Sequence, residues 1–409
     1  MEIISEHKQQ ALLKPLLEKT FSGNAQVRQA AVELLQQTEL PTRKHEDWKY
    51  TNLAKLNKEV FSFREDKQAF EIEKYLPEND GEVLVFVNGF FRADLSTASQ
   101  EYTLAKNTQE VSLVRHSFLS LLNTAGFSDG LAIRVKGNVE KALNVLCIAS
   151  GDHATSQLRH IIHAEKNASR EINLIYVSAD EAMTLSNVVT EIHVEANAEI
   201  HLNIIQNQNR KTWHFDFIKA HQEQDSRLHF HTLSLNGALV RNDLQITSAG
   251  RNTDTWMSGL ALTKGDQHVD NHTIMDHTMP DCTSNELYKT VADDASTVVF
   301  NGKVFVRPDA QKINAYQSNA NILLSENAQV FTKPELEIYA DDVKCSHGTT
   351  TGQMDEEALF YLRARGVGEQ SARKMMVHAF ASDVLTRMKS EAVRNYAEHI
   401  MEERFHWNN

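Results

Sequence analysis

The stretch Glu191–Gln208, EIHVEANAEIHLNIIQNQ, alternates apolar and polar residues, breaks at a small polar turn around Asn197 and then alternates again. Side chains of an extended chain point to opposite faces with a period of two, so each half reads as a strand with one buried face. The same design recurs on both sides of it, in EINLIYVS, DSRLHFHTLSLNG, STVVFNGKVFV and KPELEIYA. From about Gly130 to Gly348 the chain is a succession of such runs between polar turns, and the long helical patterns that βαβ crossovers need are missing. This region is therefore read as all β.

Its length narrows the architecture. A sandwich or jelly roll uses about seven or eight strands in roughly 100 residues, and this region runs for about twice that without a break. A stacked solenoid takes the length more easily, because each coil needs only its neighbours to cover its inner face. An Asn or Asp, a small residue and an alternating run recur at Asn197, Asp225, Asp294 and Asn327, spaced 28, 69 and 33 residues apart. So loose a period fits an irregular parallel β-helix better than a propeller or a strict hexapeptide solenoid.

The flanks differ in character. From Ser5 to about Leu40 the pattern is helical, with Leu12, Leu13, Leu16 and Leu17 on one side, and Pro41 ends it. PTRKHEDWKYTNL (Pro41–Leu53) is charged and aromatic together and fits no period, while Asn88-Gly89 between two apolar runs signals a type I′ hairpin. After Gly348 the chain turns helical again. Asp355 is placed to cap a first helix that ends near Gly366; a second carries Met375, Met376, Ala379, Phe380, Val384 and Met388 on a wide stripe; a third, capped by Ser390, carries Val393, Tyr396, Ile400 and Phe405. The expected organisation is an N-terminal helical region with a hairpin (1–128), a β core (129–350) and a C-terminal helical region (351–409).

Lys plus Arg number 42 against 55 for Asp plus Glu, a formal charge of −13 with no basic face to suit nucleic acid or an anionic membrane. The first residues are acidic and lack an apolar leader, and no apolar run approaches a membrane span, so a soluble cytoplasmic protein is expected. Cys147, Cys282 and Cys345 are too scattered for a disulfide framework and are read as free thiols.

No phosphate-binding loop and no G-x-S-x-G elbow occurs, so ATP binding by this chain and nucleophilic hydrolysis have no positive signal. His268, His272 and His277 lie close to Asp266, Asp270 and Asp276. The general-base Glu of H-E-x-x-H is missing and the surroundings are β and loop, so solvated loop histidines are expected there rather than a metal site. Cys345 and His347 make a sharper pair. If the strand reaches that far, positions i and i+2 face the same side, and thiolate and imidazole both suit iron or zinc. The competing reading is a buried cysteine with a surface histidine nearby. A cluster or structural zinc usually needs four protein ligands, so two imply a site completed by another chain or one that holds its cargo loosely.

Three blocks carry a resemblance: LPTRKHEDWKYTNL, STVVFNGKVFV with the following AYQSNANILLS, and above all TKPELEIYADDVKCSHGTTTGQMDEEALFYLRARG. They resemble, in the same order, the SufB/SufD family of SUF iron–sulfur cluster assembly proteins, on its SufD side. The resemblance implies a right-handed parallel β-helix between helical regions. It further implies a non-catalytic subunit that pairs with a SufB-like scaffold paralogue and a SufC-like ATPase docked on the helical tail, served indirectly by a sulfur donor. Cys345 and His347 match the family's C-S-H motif, at the contact with the paralogue where iron enters and a transient cluster forms, none being held permanently by this chain alone. Homodimerisation of the isolated chain is a further expectation, and Cys147 and Cys282 match no motif and are left as structural thiols. Two other readings stay open: a β-helix carbohydrate-active enzyme using the acids between His268 and Asp281, and a purely structural partner that ligates no iron.

Overall fold

In the computed structural model, which describes residues 12–13, 21, 23–78, 81–97 and 102–404, two long sheets dominate. The N-terminal strands are β1 (Glu82–Val87), β2 (Phe90–Phe91), β3 (Tyr102–Leu104), β4 (Leu131–Val135), β5 (Leu143–Ala149), β6 (Ala154–Ala164), β7 (Ser169–Ser178), β8 (Thr184–Val194) and β9 (Glu199–Asn207). They continue as β10 (Trp213–Gln222), β11 (Arg227–Asn236), β12 (Leu239–Ser248), β13 (Asp254–Thr263), β14 (His268–His277), β15 (Thr283–Ala292), β16 (Thr297–Val306), β17 (Ile313–Leu323), β18 (Gln329–Ile338) and β19 (Val343–Gln353). From β5 onward odd strands pair only with odd and even with even, in parallel, so each coil lends one strand to each sheet and about eight coils stack into a parallel β-solenoid. The β-helix expectation holds. Glu191–Gln208 supplies the end of β8, one corner and the whole of β9, which belong to different sheets.

The corners explain the period. Where an even strand passes to the next odd one, Asn167, Asn197, Asp225, Asn252, Asp281 and Lys312 take positive φ. Asn and Asp tolerate that conformation better than other side-chain-bearing residues, and each of these six donates its backbone N–H to the corner of the coil above. Their spacing is 30, 28, 27, 29 and 31 residues, a nearly regular coil. Asp294 and Asn327 lie at the opposite corner, before β16 and β18. The four sequence markers therefore mix two series, which is why their spacing is loose.

Inside, apolar rows such as Leu158–Val188 and Ile172–Leu202–Phe230–Met257 fill the space between the sheets. The outer faces are covered as well, so central strands are buried on both sides. Helix α1 (Ala25–Leu35), the segment around Trp48–Phe61 and α2 (Phe118–Gly126) pack on Leu185, Trp213, Phe215 and Leu239 of the even sheet. After α3 (Glu356–Ala364), helices α4 (Glu369–Leu385) and α5 (Glu391–Arg404) cover Ile205, Leu233, Leu260 and Val291 of the odd sheet. Asn88 and Gly89 both take positive φ between β1 and β2, as a type I′ turn requires. Asp355 accepts N–H bonds from Glu357 and Ala358, and the Ser390 hydroxyl accepts from Val393. On α4 the buried stripe is Val377, Ala381, Val384 and Leu385, with Met388 beyond, whereas Met375 and Ala379 face outward. The expected stripe is too wide, and the helix turns its margin away from the sheet. Leu16, Leu17 and Phe405 lie outside the described residues. Among the described residues no helix is long and apolar enough to cross a membrane.

The middle of the solenoid is not purely apolar. Asp216 lies inside it near Tyr176, His214 and Cys147, and neither carboxyl oxygen has a hydrogen-bond partner. Burial, with Asp243 near it, pushes the Asp216 pKa up to about 8, and burial alone pushes His214 down to about 3. A carboxyl whose folded pKa lies above its unfolded value keeps its proton more tightly in the native state, so stability is lost as pH rises. Between about pH 4 and pH 8 Asp216 should cost stability on the order of 5 kcal/mol at most. Asp216→Asn should flatten the fall in thermal midpoint across that range; an unchanged slope would contradict the buried neutral acid.

Candidate functional site

Among the described residues the last coil has no successor, so the solenoid ends in an open mouth formed by β18 and β19. Register places Cys345 beside Ala315 and His347 beside Gln317 of β17, on the face that looks into the solenoid. Cys345 is half-buried and packs on the inner core with Val343 and Leu336. Burial raises its thiol pKa, partly offset by a backbone hydrogen bond from Ala315. The thiol therefore stays protonated at neutral pH until a cation displaces the proton. His347 is exposed, two residues further along the same face. Across the mouth the hydroxyls of Thr332 and Thr349 meet at 3.1 Å.

Beneath this pair the floor is polar. Gln317, Asn319 and Asn321 of β17 and Glu286 of β15 are all buried and inward. Burial pushes Glu286 up to about 7, against hydrogen bonds from Thr273 and Gln317. Sequence reasoning misses this floor. The signal is present in AYQSNANILLS, where Gln317, Asn319 and Asn321 recur with strand period, but Tyr316 and Ser318 between them leave the inward face undecided.

The histidine-rich segment differs from expectation. His268, His272 and His277 lie on β14, not in a solvated loop, and His277 is fully buried. Thr51 bridges His268 Nε2, at 2.8 Å, and the carboxylate of Asp270. His272 Nε2 lies 2.9 Å from the same carboxylate. Arg241 organises the group: it forks onto Asp243 with two bonds of 2.9 Å, reaches Asp270 at 2.6 Å and donates to the Asp47 carbonyl at 2.8 Å. Its guanidinium lies 3.8 Å from the centre of the Trp48 ring, and Tyr50 stacks on Phe331 at 4.0 Å. The RKHEDWKYT segment is thus a strap bound to the even sheet. The cation holds Asp243 and Asp270 well below the usual carboxylate range, against burial that acts the other way. A cavity of about 520 Å³ remains between strap and sheet, lined by Glu46, Tyr50, His272 and Lys333 among others. The acids a glycosidase would use are engaged here: Asp270 by Arg241, Asp276 by Arg307 at 2.7 Å and Asp281 by Arg251 at 2.6 Å.

Elsewhere, Glu199, His201 and His229 bring three possible ligand atoms within 4.8 Å of one another. The two imidazoles stack at 4.3 Å with planes 6° apart, and His201 Nε2 is 2.7 Å from Glu199. Lone pairs of parallel stacked rings point the same way and do not converge on one ion, while Lys389 adds a positive field. These side chains form a cross-coil stack under the C-terminal helices.

Two features of the open end face outward. β18 carries Lys333, Pro334, Glu335 and Glu337, residues that blunt an edge strand, whereas β19 carries only Lys344 among its charged side chains. On the helical tail Phe360, Tyr361 and Met375 are 72%, 55% and 53% exposed.

The class these features define is a parallel β-solenoid flanked by helical regions, with a thiol and an imidazole on one strand at its open end. Residues 147–380 match the family model described as "SUF system FeS cluster assembly, SufBD core domain", and residues 14–145 match "SufBD protein N-terminal region". An "iron-sulfur cluster assembly SufBD family protein" of Synechocystis is 31% identical over 393 residues, covering 88% of this chain and 86% of that one. The "iron-sulfur cluster assembly protein SufD" of Escherichia coli is 31% identical over 378 residues, 90% and 89% of the two chains. The chain belongs to the SufBD family, and its role lies in iron–sulfur cluster assembly within the Suf system.

Removing Arg241 would leave two buried carboxylates uncompensated. Arg241→Ala should destabilise the chain by about 3 to 5 kcal/mol in denaturant unfolding. A loss below about 1 kcal/mol, the range of an exposed ion pair, would contradict its role in holding the strap.

Proposed function

We propose that this chain is a non-catalytic subunit of a SUF-type assembly complex, pairing at its solenoid mouth with a SufB-like scaffold paralogue so that Cys345 and His347 reach iron or a forming cluster at the interface. The single observation that carries this is the placement of a thiol and an imidazole on one inward face at an end that no further coil of the described residues covers. Two donors do not fill the coordination of iron, so the remaining ligands come from the partner. The weakly protected β19 edge is suited to continue into the partner's sheet by backbone pairing. In the absence of the paralogue the same edge supports pairing of two copies of this chain. The cluster is cargo, assembled and handed on.

The thiol's raised pKa supports a loaded-on-demand site, since metal binding must expel its proton. In complex reconstituted with a SufB-type scaffold and a SufC-type ATPase, Cys345→Ser and His347→Ala should each reduce anaerobic cluster formation, by iron and acid-labile sulfide, about 10-fold or more. Full assembly with both substituted together would remove the ligand assignment.

The helical tail is the proposed dock for the ATPase. Phe360 and Tyr361 on α3, with Met375 on α4, leave aromatic and thioether surface uncovered by the rest of the chain. Phe360→Asp should weaken association with a SufC-type ATPase about 30-fold in calorimetric titration, with the thermal midpoint of the isolated chain unmoved. Unchanged affinity would place the dock elsewhere.

A further inference from the structure

One inward row of the odd sheet runs Met257, Glu286, Gln317, His347, each in register with the one before. Both Glu286 oxygens are engaged: Thr273 Oγ1 donates to Oε1 at 2.5 Å and Gln317 Nε2 donates to Oε2 at 2.7 Å. With Glu286 ionised, the second bond sets the sense of the Gln317 amide, because a carboxylate only accepts and the amide donates only through its nitrogen. The amide oxygen is thereby turned away from Glu286, and it is buried without a hydrogen-bond partner. Gly302 on the facing sheet makes room for this arrangement, since a Cβ there would fall 2.3 Å from Gln317 Nε2. The next member of the row above Gln317 is His347.

We propose that Gln317 is a positioning residue for His347: its Oε1 accepts a ring N–H of the imidazole, selects one tautomer, and leaves the other nitrogen free for metal at the mouth, while Glu286 locks the amide. The proposal rests on the reading of Cys345 and His347 as a donor pair. Its chemistry is general, because a metal-bound histidine nearly always gives its second N–H to a carbonyl or carboxylate, and a neutral imidazole otherwise divides between two tautomers. The unsatisfied oxygen and the exposed ring are complementary, one lacking a donor and the other carrying one. When a partner covers the mouth and excludes water, this hydrogen bond strengthens.

The test uses the full metal-free chain labelled with ¹⁵N in histidine, the His347 signals being identified by their loss in His347→Ala. A single His347 tautomer is expected in the wild type. Gln317→Leu should give a tautomer mixture, and so should Gly302→Ala, which displaces the amide from the facing sheet without altering Gln317. The paired swap Glu286→Gln with Gln317→Glu keeps one carboxylate, one amide and an acceptor oxygen toward the next coil, and should restore the single tautomer. An identical tautomer ratio in wild type, Gln317→Leu and Gly302→Ala overturns the proposal. Cobalt(II) titrated into the same chains separates this from the reading beneath it. Cys345→Ser and His347→Ala should abolish the thiolate charge-transfer band, and Gln317→Leu should weaken cobalt binding about 10-fold. Cobalt binding indifferent to Cys345 and His347 would defeat the donor pair itself, whereas binding that depends on them but not on Gln317 would defeat only the positioning role.

Discussion

The structure depends on the parallel backbone ladder that joins each coil to the next. Every strand from β5 to β17 gives its N–H and C=O groups to the coils on either side, and the corner residues with positive φ carry the same ladder around the bend. A stack of this kind has no natural stop, so both ends need separate treatment. At the N-terminal end the antiparallel strands β2 and β3 close the two sheets. At the other end, among the described residues, β18 and β19 have no further strand. The unfinished ladder lies beside Cys345 and His347 on the inward face, which is why the proposed pairing is set at this end.

How much of this is legible in the sequence depends on which interaction sets each feature. Strand alternation fixes the solenoid because a period of two survives whatever packs on the strands, as in Glu191–Gln208. The same rule puts Cys345 and His347 on one face. The coil period is harder to see, because Asn197 and Asp225 belong to one corner while Asp294 and Asn327 belong to the other. His268, His272 and His277 escape sequence reading for another reason. Their partners, Thr51 and Arg241, come from distant segments, and only the folded strap turns a polar run into a buried ion-pair network. Gln317 is invisible on similar grounds, since its role depends on Glu286 in the coil below and on a missing Cβ at Gly302 in the facing sheet.

The polar interior has a physical cost. Neutral Asp216, neutral His214 and a Glu286 poised near neutrality all sit where apolar side chains would stabilise the stack more. Their neighbours satisfy some of these groups and leave others, Tyr176 and Gln317 included, with unfilled positions. The covering helices offset this by burying the outer faces of both sheets, with ties such as Lys289 to the Phe380 carbonyl at 3.0 Å and Tyr396 to the Tyr75 carbonyl at 2.8 Å. The tail thus rests on the odd sheet as far as β15.

Ligation by this subunit is read most directly by electron spin-echo modulation on a reduced, assembled cluster in a complex where this subunit alone carries ¹⁵N-histidine. A nitrogen coupling from a directly bound ¹⁵N imidazole is expected, and it should disappear in His347→Ala. A cluster assembled to full occupancy without any ¹⁵N coupling from this chain would contradict it.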